Sequence, residues 1–87
     1  MDIEELRERI AEIDRKIMEL AAERTRIAGE IGSIKRTNSL PIRVPDVEDR
    51  VISCYRSFAE SNDIDPNLME TVVKALIDMS VIRQTEG

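Results

Sequence analysis

Apolar residues recur at alternating steps of three and four positions along the first 35 residues of the chain. This spacing places them on one stripe of a helix and predicts an amphipathic helix over residues 2–35. At about 1.5 Å per residue, such a helix is about 50 Å long, more than the rest of a small chain can cover. We therefore expect a second chain to cover the excess. The residues of this stripe, called the seam below, are Ile3, Leu6, Ile10, Ile13, Ile17, Leu20, Ile27, Ile31 and Ile34.

One position of the seam is polar, because Arg24 stands between Leu20 and Ile27. A guanidinium cannot lose its proton, so a packed interface has to supply an anion to it. Two sources remain open: a glutamate of a partner chain, Glu23 or Glu30, or a bound anionic ligand. The seam therefore carries a candidate anion-binding residue as well as a packing pattern.

Two further cations, Arg7 and Lys35, each follow a seam position by one residue and so border the same stripe. Along one helix, Arg7 lies about 25 Å from Arg24, too far for both to bind one small ligand. If two copies of the helix pair antiparallel about a midpoint near residue 18, Arg7 of one copy lies between Arg24 and Lys35 of the other. Three cations would then meet at two places. Taken singly, Arg7 and Lys35 also fit solvated charges beside a packed stripe.

The rest of the chain predicts two further helices joined by short loops. Two prolines and an Asn-Ser pair interrupt the helical pattern over residues 36–45, and the acids that follow favour a second helix over residues 46–61. Asp65 followed by Pro66 is a strong start signal and predicts a third helix over residues 66–84. We expect an all-α chain of three helices, one domain over residues 1–87, that forms an intertwined homodimer. The predicted core face of the second helix comprises Val47, Val51, Cys54, Tyr55 and Phe58.

The apolar face of the third helix continues into two polar residues, Ser80 and Gln84. An unpaired buried polar group costs about 1 to 3 kcal/mol, so both residues need partners if they are buried. They would then line the same cavity as the cations, whereas at a frayed helix end they would need no partner. Gly29 and Gly32 each weaken the first helix by roughly 1 kcal/mol. Their presence indicates the close approach of a neighbouring helix or of a ligand.

Composition excludes several classes of function. A net charge of −5, from 18 acidic and 13 basic residues, disfavours nucleic-acid binding, and no histidine is present to bind a metal or shuttle a proton. The single cysteine, Cys54, excludes an internal disulfide and a multi-cysteine metal site. Because no nucleophile–base pair, metal cluster or phosphate loop appears, any chemistry should need no cofactor and no metal. Without an apolar run of about 18 residues, we expect a cytoplasmic protein that binds no membrane.

Polar residues at five separate places give the chain a resemblance to the all-helical AroQ class of chorismate mutases. The resemblance covers nearly the whole chain without gaps, so it is more specific than any single motif. The stretches that carry it are Leu6-Arg7-Glu8-Arg9-Ile10, Ala22-Glu23-Arg24, Ile34-Lys35, Pro41-Ile42-Arg43 ahead of Glu48, and Ser80 with Gln84. It implies conversion of chorismate to prephenate in aromatic amino-acid biosynthesis. It also implies a homodimer whose two active sites are each completed by an arginine of the other chain.

The resemblance implies a role for each of the candidate residues. Arg24, together with Arg7 of the other chain, would bind the carboxylates of chorismate, and Ser80 would help to bind one of them. Lys35 would bridge a carboxylate and the ether oxygen. Gln84 would donate a hydrogen bond to that ether oxygen. The catalytic set implied is therefore three cations and one neutral amide.

The ring hydroxyl of chorismate would be held by Glu48 and by the backbone at Val44. The chain departs from the family pattern at Val47, where an arginine that contacts substrate is usual, and at Val44, where an aspartate is frequent. The second departure is mild if only the backbone acts there. The first removes a cation, so either substrate affinity is lower or Arg43 or Arg50 takes its place.

Two other functions fit the same sequence. Isochorismate-pyruvate lyase is a related activity on the same helical fold, but Glu48 favours the mutase because the lyases lack this acid. A catalytically silent helical dimer that binds a partner or an aromatic metabolite also remains open, because position 47 lacks the usual arginine. Incubation with chorismate and with isochorismate distinguishes the three functions.

Overall fold

Three helices account for nearly all of the chain. The computed structural model describes residues 1–86, and over these residues the chain folds into α1 (Ile3–Thr37), α2 (Pro45–Ser61) and α3 (Pro66–Thr85), with no strand. The predicted all-α class is thereby confirmed. The helices begin and end within two residues of the positions expected from sequence, and the largest difference is at the end of α1, which continues to Thr37.

Side-chain caps explain two of the three helix starts. The carboxylate of Asp2 accepts a hydrogen bond of 2.8 Å from the backbone N–H of Glu5. Asp65 accepts from the backbone N–H groups of Asn67 and Leu68 at 2.8 and 3.4 Å. Such caps satisfy N–H groups that have no partner within the helix, and each contributes about 1 kcal/mol. The local sequence therefore fixes where α1 and α3 begin.

The helix α3 lies between the other two, because it packs against both α1 and α2 while these two do not pack against each other. Only the C-terminal half of α1 takes part, since all of its buried or half-buried positions lie between residues 21 and 35. Small residues bring the helices together at Ala28, Gly32 and Ala59, and Val73 and Ile77 of α3 fill the space between them. The core is therefore small and centred on α3.

The helices α1 and α3 approach each other closely at Gly32 of α1. A methyl group added there would lie 2.7 Å from the Cα atom and 2.9 Å from the carbonyl oxygen of Gln84. At Gly29 the added methyl would meet only the side chain of Arg83, with its Nε atom at 3.1 Å. The neighbour that the two glycines accommodate is thus α3, which decides between the helix and the ligand left open by the sequence.

We expect Gly32→Ala to destabilise the fold, although alanine is normally the better helix former by about 1 kcal/mol. The added methyl group collides with the backbone of α3, and such overpacking typically costs about 1–3 kcal/mol. Thermal unfolding followed by circular dichroism measures the effect. Gly29→Ala is the matched control, because the flexible side chain of Arg83 can move aside, and its midpoint should stay the same or rise. Equal midpoints for the two variants would contradict the close approach at Gly32.

The N-terminal half of α1 has no cover within the chain. Its seam residues are between 44% exposed, at Leu6, and 65% exposed, at Ile3. The radius of gyration is 15.9 Å, whereas a compact chain of this length would have about 12 Å. The single chain therefore leaves a long apolar stripe in solvent. No helix within residues 1–86 is long and apolar enough to cross a membrane.

The core face predicted for α2 is only partly right. Val51 and Tyr55 are half-buried, but Val47, Cys54 and Phe58 are exposed, and the buried residue is Ala59, which was not assigned to the core. The reason is that α2 has a single neighbouring helix, α3, which covers only part of the apolar face.

Candidate active site

A cavity of about 490 Å³ lies between the C-terminal half of α1, the loop after it, the start of α2 and the end of α3. Its wall is mostly aliphatic and carries two cations, one carboxylate and two neutral polar side chains. Charged groups in such an apolar setting interact more strongly than they do in water. The lining residues are Arg24, Ile27, Ala28, Ile31, Lys35, Ile42, Val44, Val47, Glu48, Val51, Ile77, Ser80, Val81 and Gln84.

Arg24 reaches from α1 to α3 and has neutral partners there. One of its terminal nitrogens donates to the hydroxyl of Ser80 at 2.5 Å and to the backbone carbonyl of Leu76 at 3.0 Å. No carboxylate within residues 1–86 forms an ion pair with Arg24, so its charge is not neutralised by that part of the chain. The remaining N–H groups are available for an anion in the cavity.

Lys35 lies about three turns further along α1 and forms two hydrogen bonds. Its ammonium donates to the backbone carbonyl of Ile42 at 2.7 Å and to the side-chain oxygen of Gln84 at 3.0 Å. An ammonium has three protons, so one N–H remains for a ligand. Because the Ile42 carbonyl belongs to the loop and Gln84 to α3, the two bonds fix the lysine head between these two elements.

Gln84 is held in a defined orientation. Lys35 can only donate, so the amide oxygen of Gln84 faces it and the amide nitrogen points away. That nitrogen has no acceptor within residues 1–86, and the side chain lines the cavity. The backbone carbonyl of Gln84 accepts a hydrogen bond from Arg36, which ties this last turn of α3 to α1. Lys35 and Gln84 therefore present two N–H donors side by side.

Glu48 supplies the carboxylate of the cavity and forms a forked ion pair with Arg43. The Nε and Nη2 atoms of Arg43 donate to the two carboxylate oxygens at 3.1 and 2.8 Å. These hydrogen bonds lower the pKa of Glu48. The loss of solvation raises it by less, and the charges of Arg43 and Lys35 lower it further. The pKa of Arg43 is raised by the same hydrogen bonds. Glu48 is thus an ionised hydrogen-bond acceptor at neutral pH.

Val44 lines the cavity at the start of α2. It is the N-cap of α2, and its carbonyl accepts from the N–H groups of Val47 and Glu48 at 3.0 and 3.1 Å. Its own N–H has no acceptor within residues 1–86. The group at Val44 that remains able to bind a ligand is therefore an N–H donor beside the Glu48 carboxylate.

Residues 6–85 match the sequence family described as chorismate mutase type II. The chain belongs to this family. The match spans most of the chain, including every candidate residue, and the all-α architecture is consistent with it. The resemblance seen in the sequence is thereby confirmed at the level of the family.

Individual chorismate mutases and related proteins are about equally similar to the chain. A protein named chorismate mutase from Methanocaldococcus jannaschii is 32% identical over 74 residues, which are 85% of this chain and 75% of that protein. The T-protein of Enterobacter agglomerans is 30% identical over 81 residues, 93% of this chain. The bifunctional chorismate mutase/prephenate dehydratase of Escherichia coli is 29% identical over 79 residues, 91% of this chain. The chain spans about a fifth of the length of the last two proteins, 22% and 20%.

Six of the seven residues predicted for a chorismate mutase site line the one cavity, and the seventh does not. Arg7 lies on the N-terminal half of α1, is exposed, and forms an ion pair of 3.0 Å with Glu4 one turn earlier. Within residues 1–86, no residue that lines the cavity lies near Arg7. Arg7 can reach a cavity of this kind only in a second chain.

Sequence reasoning missed two parts of the site. The apolar wall was not predicted as such, although Ile27 and Ile31 were recognised as seam residues, and their role in the cavity follows only once α3 is placed. Arg36 was also missed, because its contact with the carbonyl of Gln84 joins residues far apart in the chain. Within residues 1–86, no three cysteine or acidic side chains lie close enough together to hold a metal ion.

Proposed function

We propose that this chain converts chorismate to prephenate, the reaction for which its family is named. The observation that carries the proposal is the pair formed by Lys35 and Gln84, two N–H donors fixed side by side in an apolar cavity that also contains Arg24. The family match and the relative named chorismate mutase support it. Chorismate carries two carboxylates, an ether oxygen and a ring hydroxyl, and the cavity offers a polar partner for each kind of group.

The reaction is an intramolecular Claisen rearrangement, in which the ether C–O bond breaks as a C–C bond forms. Atoms and electrons balance within the substrate, so no side chain has to give or take a proton. The protein accelerates such a step by holding the substrate in its compact, reactive conformer and by stabilising the charge that develops on the ether oxygen. An apolar wall fits this task because it excludes water from the reacting bonds.

Each polar group of the cavity has one part in this mechanism. Arg24, held by Ser80, binds one carboxylate, and the free N–H of Lys35 bridges a carboxylate and the ether oxygen. Gln84 donates its amide N–H to the same oxygen, where negative charge grows in the transition state. Because Gln84 is neutral, it donates at any pH at which the fold is stable.

The ring hydroxyl of the substrate lies at the other end of the cavity in this proposal. The ionised carboxylate of Glu48 accepts its hydrogen bond, and the N–H of Val44 donates to the hydroxyl oxygen. This arrangement fixes the ring from the α2 side of the cavity. The cavity can therefore bind the substrate in one orientation, since the cations lie on α1 and the acceptor on α2.

We further propose that the active protein is a homodimer in which Arg7 of each chain completes the cavity of the other. The uncovered seam supports this proposal, because antiparallel pairing of two α1 helices about residue 18 covers it and brings Arg7 between Arg24 and Lys35. This arginine adds a third cation to Arg24 and Lys35 opposite the two carboxylates of the substrate. The proposed setting is the cytoplasm and the synthesis of aromatic amino acids.

Light scattering should therefore give twice the chain mass at micromolar concentration. Covering the exposed part of the seam contributes at most roughly 1.5 to 3 kcal/mol for each side chain, so separation of the chains should remove most of the stability of the fold. The unfolding midpoint should then rise with protein concentration. A folded chain of single mass that retains activity would contradict the shared site.

The activity itself is tested with purified chain and chorismate, by following the loss of substrate absorbance and detecting prephenate by NMR. Lys35→Ala is the control for background conversion and should be inactive. A parallel incubation with isochorismate distinguishes the lyase, which would release pyruvate. A folded dimer that consumes neither substrate would contradict the proposal and favour a silent binding protein.

A further inference from the structure

Lys35 and Glu48 carry opposite charges and line the same cavity, but they do not form an ion pair with each other. Lys35 donates hydrogen bonds to two neutral oxygens, those of Ile42 and Gln84. Its positive charge also lowers the pKa of Glu48, which lines the same cavity. A carboxylate free to move would pair with the third N–H of Lys35, because a charge-assisted hydrogen bond is the strongest that either group can form there. The lysine would then be occupied before any ligand arrived.

Arg43 is placed to prevent this pairing. Its fork binds both oxygens of Glu48 in one plane, which fixes the direction of the carboxylate as well as its charge. Arg43 itself does not line the cavity, and its side chain is 55% exposed. The other charge acting on Arg43 is Asp78 of α3. The arginine therefore touches Glu48 but no ligand in the cavity.

We propose that Arg43 is a positioning residue that holds Glu48 away from Lys35, so that Lys35 keeps a free N–H for a carboxylate-bearing substrate. The inference rests on the proposed function, because it concerns the same site and its anionic substrate. It also removes Arg43 from the two substitutes considered for the missing arginine at position 47. Arg43 does not replace a cation that binds substrate, and it acts through Glu48 instead.

A double-mutant cycle on Arg43 and Glu48 tests the proposal. Arg43→Ala frees the carboxylate to occupy Lys35, and we expect KM for chorismate to rise about tenfold with kcat changed less than threefold, as for the loss of one competed ionic contact. Glu48→Gln alone should weaken binding by a few-fold, since an amide oxygen still accepts from the ring hydroxyl. In the Glu48→Gln background, Arg43→Ala should not raise KM any further, because a neutral amide does not compete for Lys35.

The chain offers a closely matched control in a second ion pair. Lys74 and Glu70 on α3 are also 2.8 Å apart and are 59% and 28% exposed, compared with 55% and 21% for Arg43 and Glu48. Lys74→Ala removes the same charge outside the cavity and should leave KM unchanged. Arg43→Lys keeps the charge but loses the fork, so its KM should lie between those of wild type and Arg43→Ala.

Each other outcome has a defined meaning. A tenfold rise in KM on Arg43→Ala in both backgrounds would show that the arginine binds substrate directly, and this would overturn the proposal. An unchanged KM on Arg43→Ala would also overturn it. Exposed ion pairs stabilise a fold little, so a variant Arg43→Ala that loses its helical circular dichroism would show a structural role and also overturn it. A wild-type chain that does not convert chorismate would instead refute the proposed function.

Discussion

Mixing two inactive variants, Arg7→Ala and Arg24→Ala, should restore about a quarter of wild-type activity. Each variant alone removes one cation from every site, and loss of one such donor to a charged substrate lowers activity by roughly 10²-fold or more. Unfolding and refolding an equal mixture makes about half of the dimers hybrid. By symmetry each hybrid has one site with both arginines and one with neither, so about a quarter of all sites are complete.

The control for this experiment is Arg15→Ala. Arg15 is an exposed cation on the same half of α1, but it lies on the face opposite the seam, so its removal should change neither activity nor complementation. Activity is measured by loss of chorismate before and after refolding, with wild-type chain treated in the same way. If Arg7 and Arg24 served the site of the same chain, every hybrid site would carry one lesion and mixing would restore nothing.

Gln84→Ala should lower kcat by about 10²-fold or more and change KM much less. The amide N–H meets the ether oxygen where charge grows during the reaction, so its loss weakens binding of the transition state more than binding of the substrate. Steady-state kinetics at a single pH measure both constants. Thr85→Ala is the adjacent control, because within residues 1–86 the Thr85 hydroxyl bonds only to the carbonyl of Ile82, and the residue is exposed. A change confined to KM would contradict the role assigned to Gln84.

Gln84→Glu provides a pH test of the same role. A carboxyl group donates a hydrogen bond only when protonated, so the variant should be active below the pKa of this group and inactive above it. The ordinary pKa of a glutamic acid side chain is about 4.3, so activity of the variant should be confined to acidic solution. The wild-type amide does not titrate, so wild-type activity should not fall in this way. A pH profile of the variant that matches wild type at pH 8 would refute the role.

Local signals were enough to predict the helices. The N-cap acids Asp2 and Asp65 satisfy N–H groups within three residues of themselves, so their effect can be read from short stretches. Burial on α2 was predicted less well, because it depends on which helix covers which face. Phe58 and Val47 belong to an apolar stripe but remain exposed in the single chain, since α3 covers the neighbouring part of α2.

Six of the residues that line the candidate cavity were named from the sequence, but their geometry was not. The family pattern places Arg24, Lys35, Ser80 and Gln84 in one site, and their spacing on two helices agrees with a common cavity. The partners of Arg24 could not be predicted, because the bonds to α3 join residues more than 50 positions apart. A glutamate from another chain was one hypothesis for the partner of Arg24, and within residues 1–86 its partners are the neutral oxygens of Ser80 and Leu76.

The cavity has one stiff wall and one compliant wall. At the stiff wall, the backbones of α1 and α3 lie close together at Gly32. Arg36 of α1 also donates a hydrogen bond to the backbone carbonyl of Gln84 on α3. The compliant wall carries Val47 and Val51 on α2, which packs on α3 and not on α1. We therefore expect the donors to keep their spacing if α2 shifts to fit the ring of the proposed substrate. Changes of substrate in evolution should accordingly arise on α2, where repacking leaves the catalytic distances unchanged.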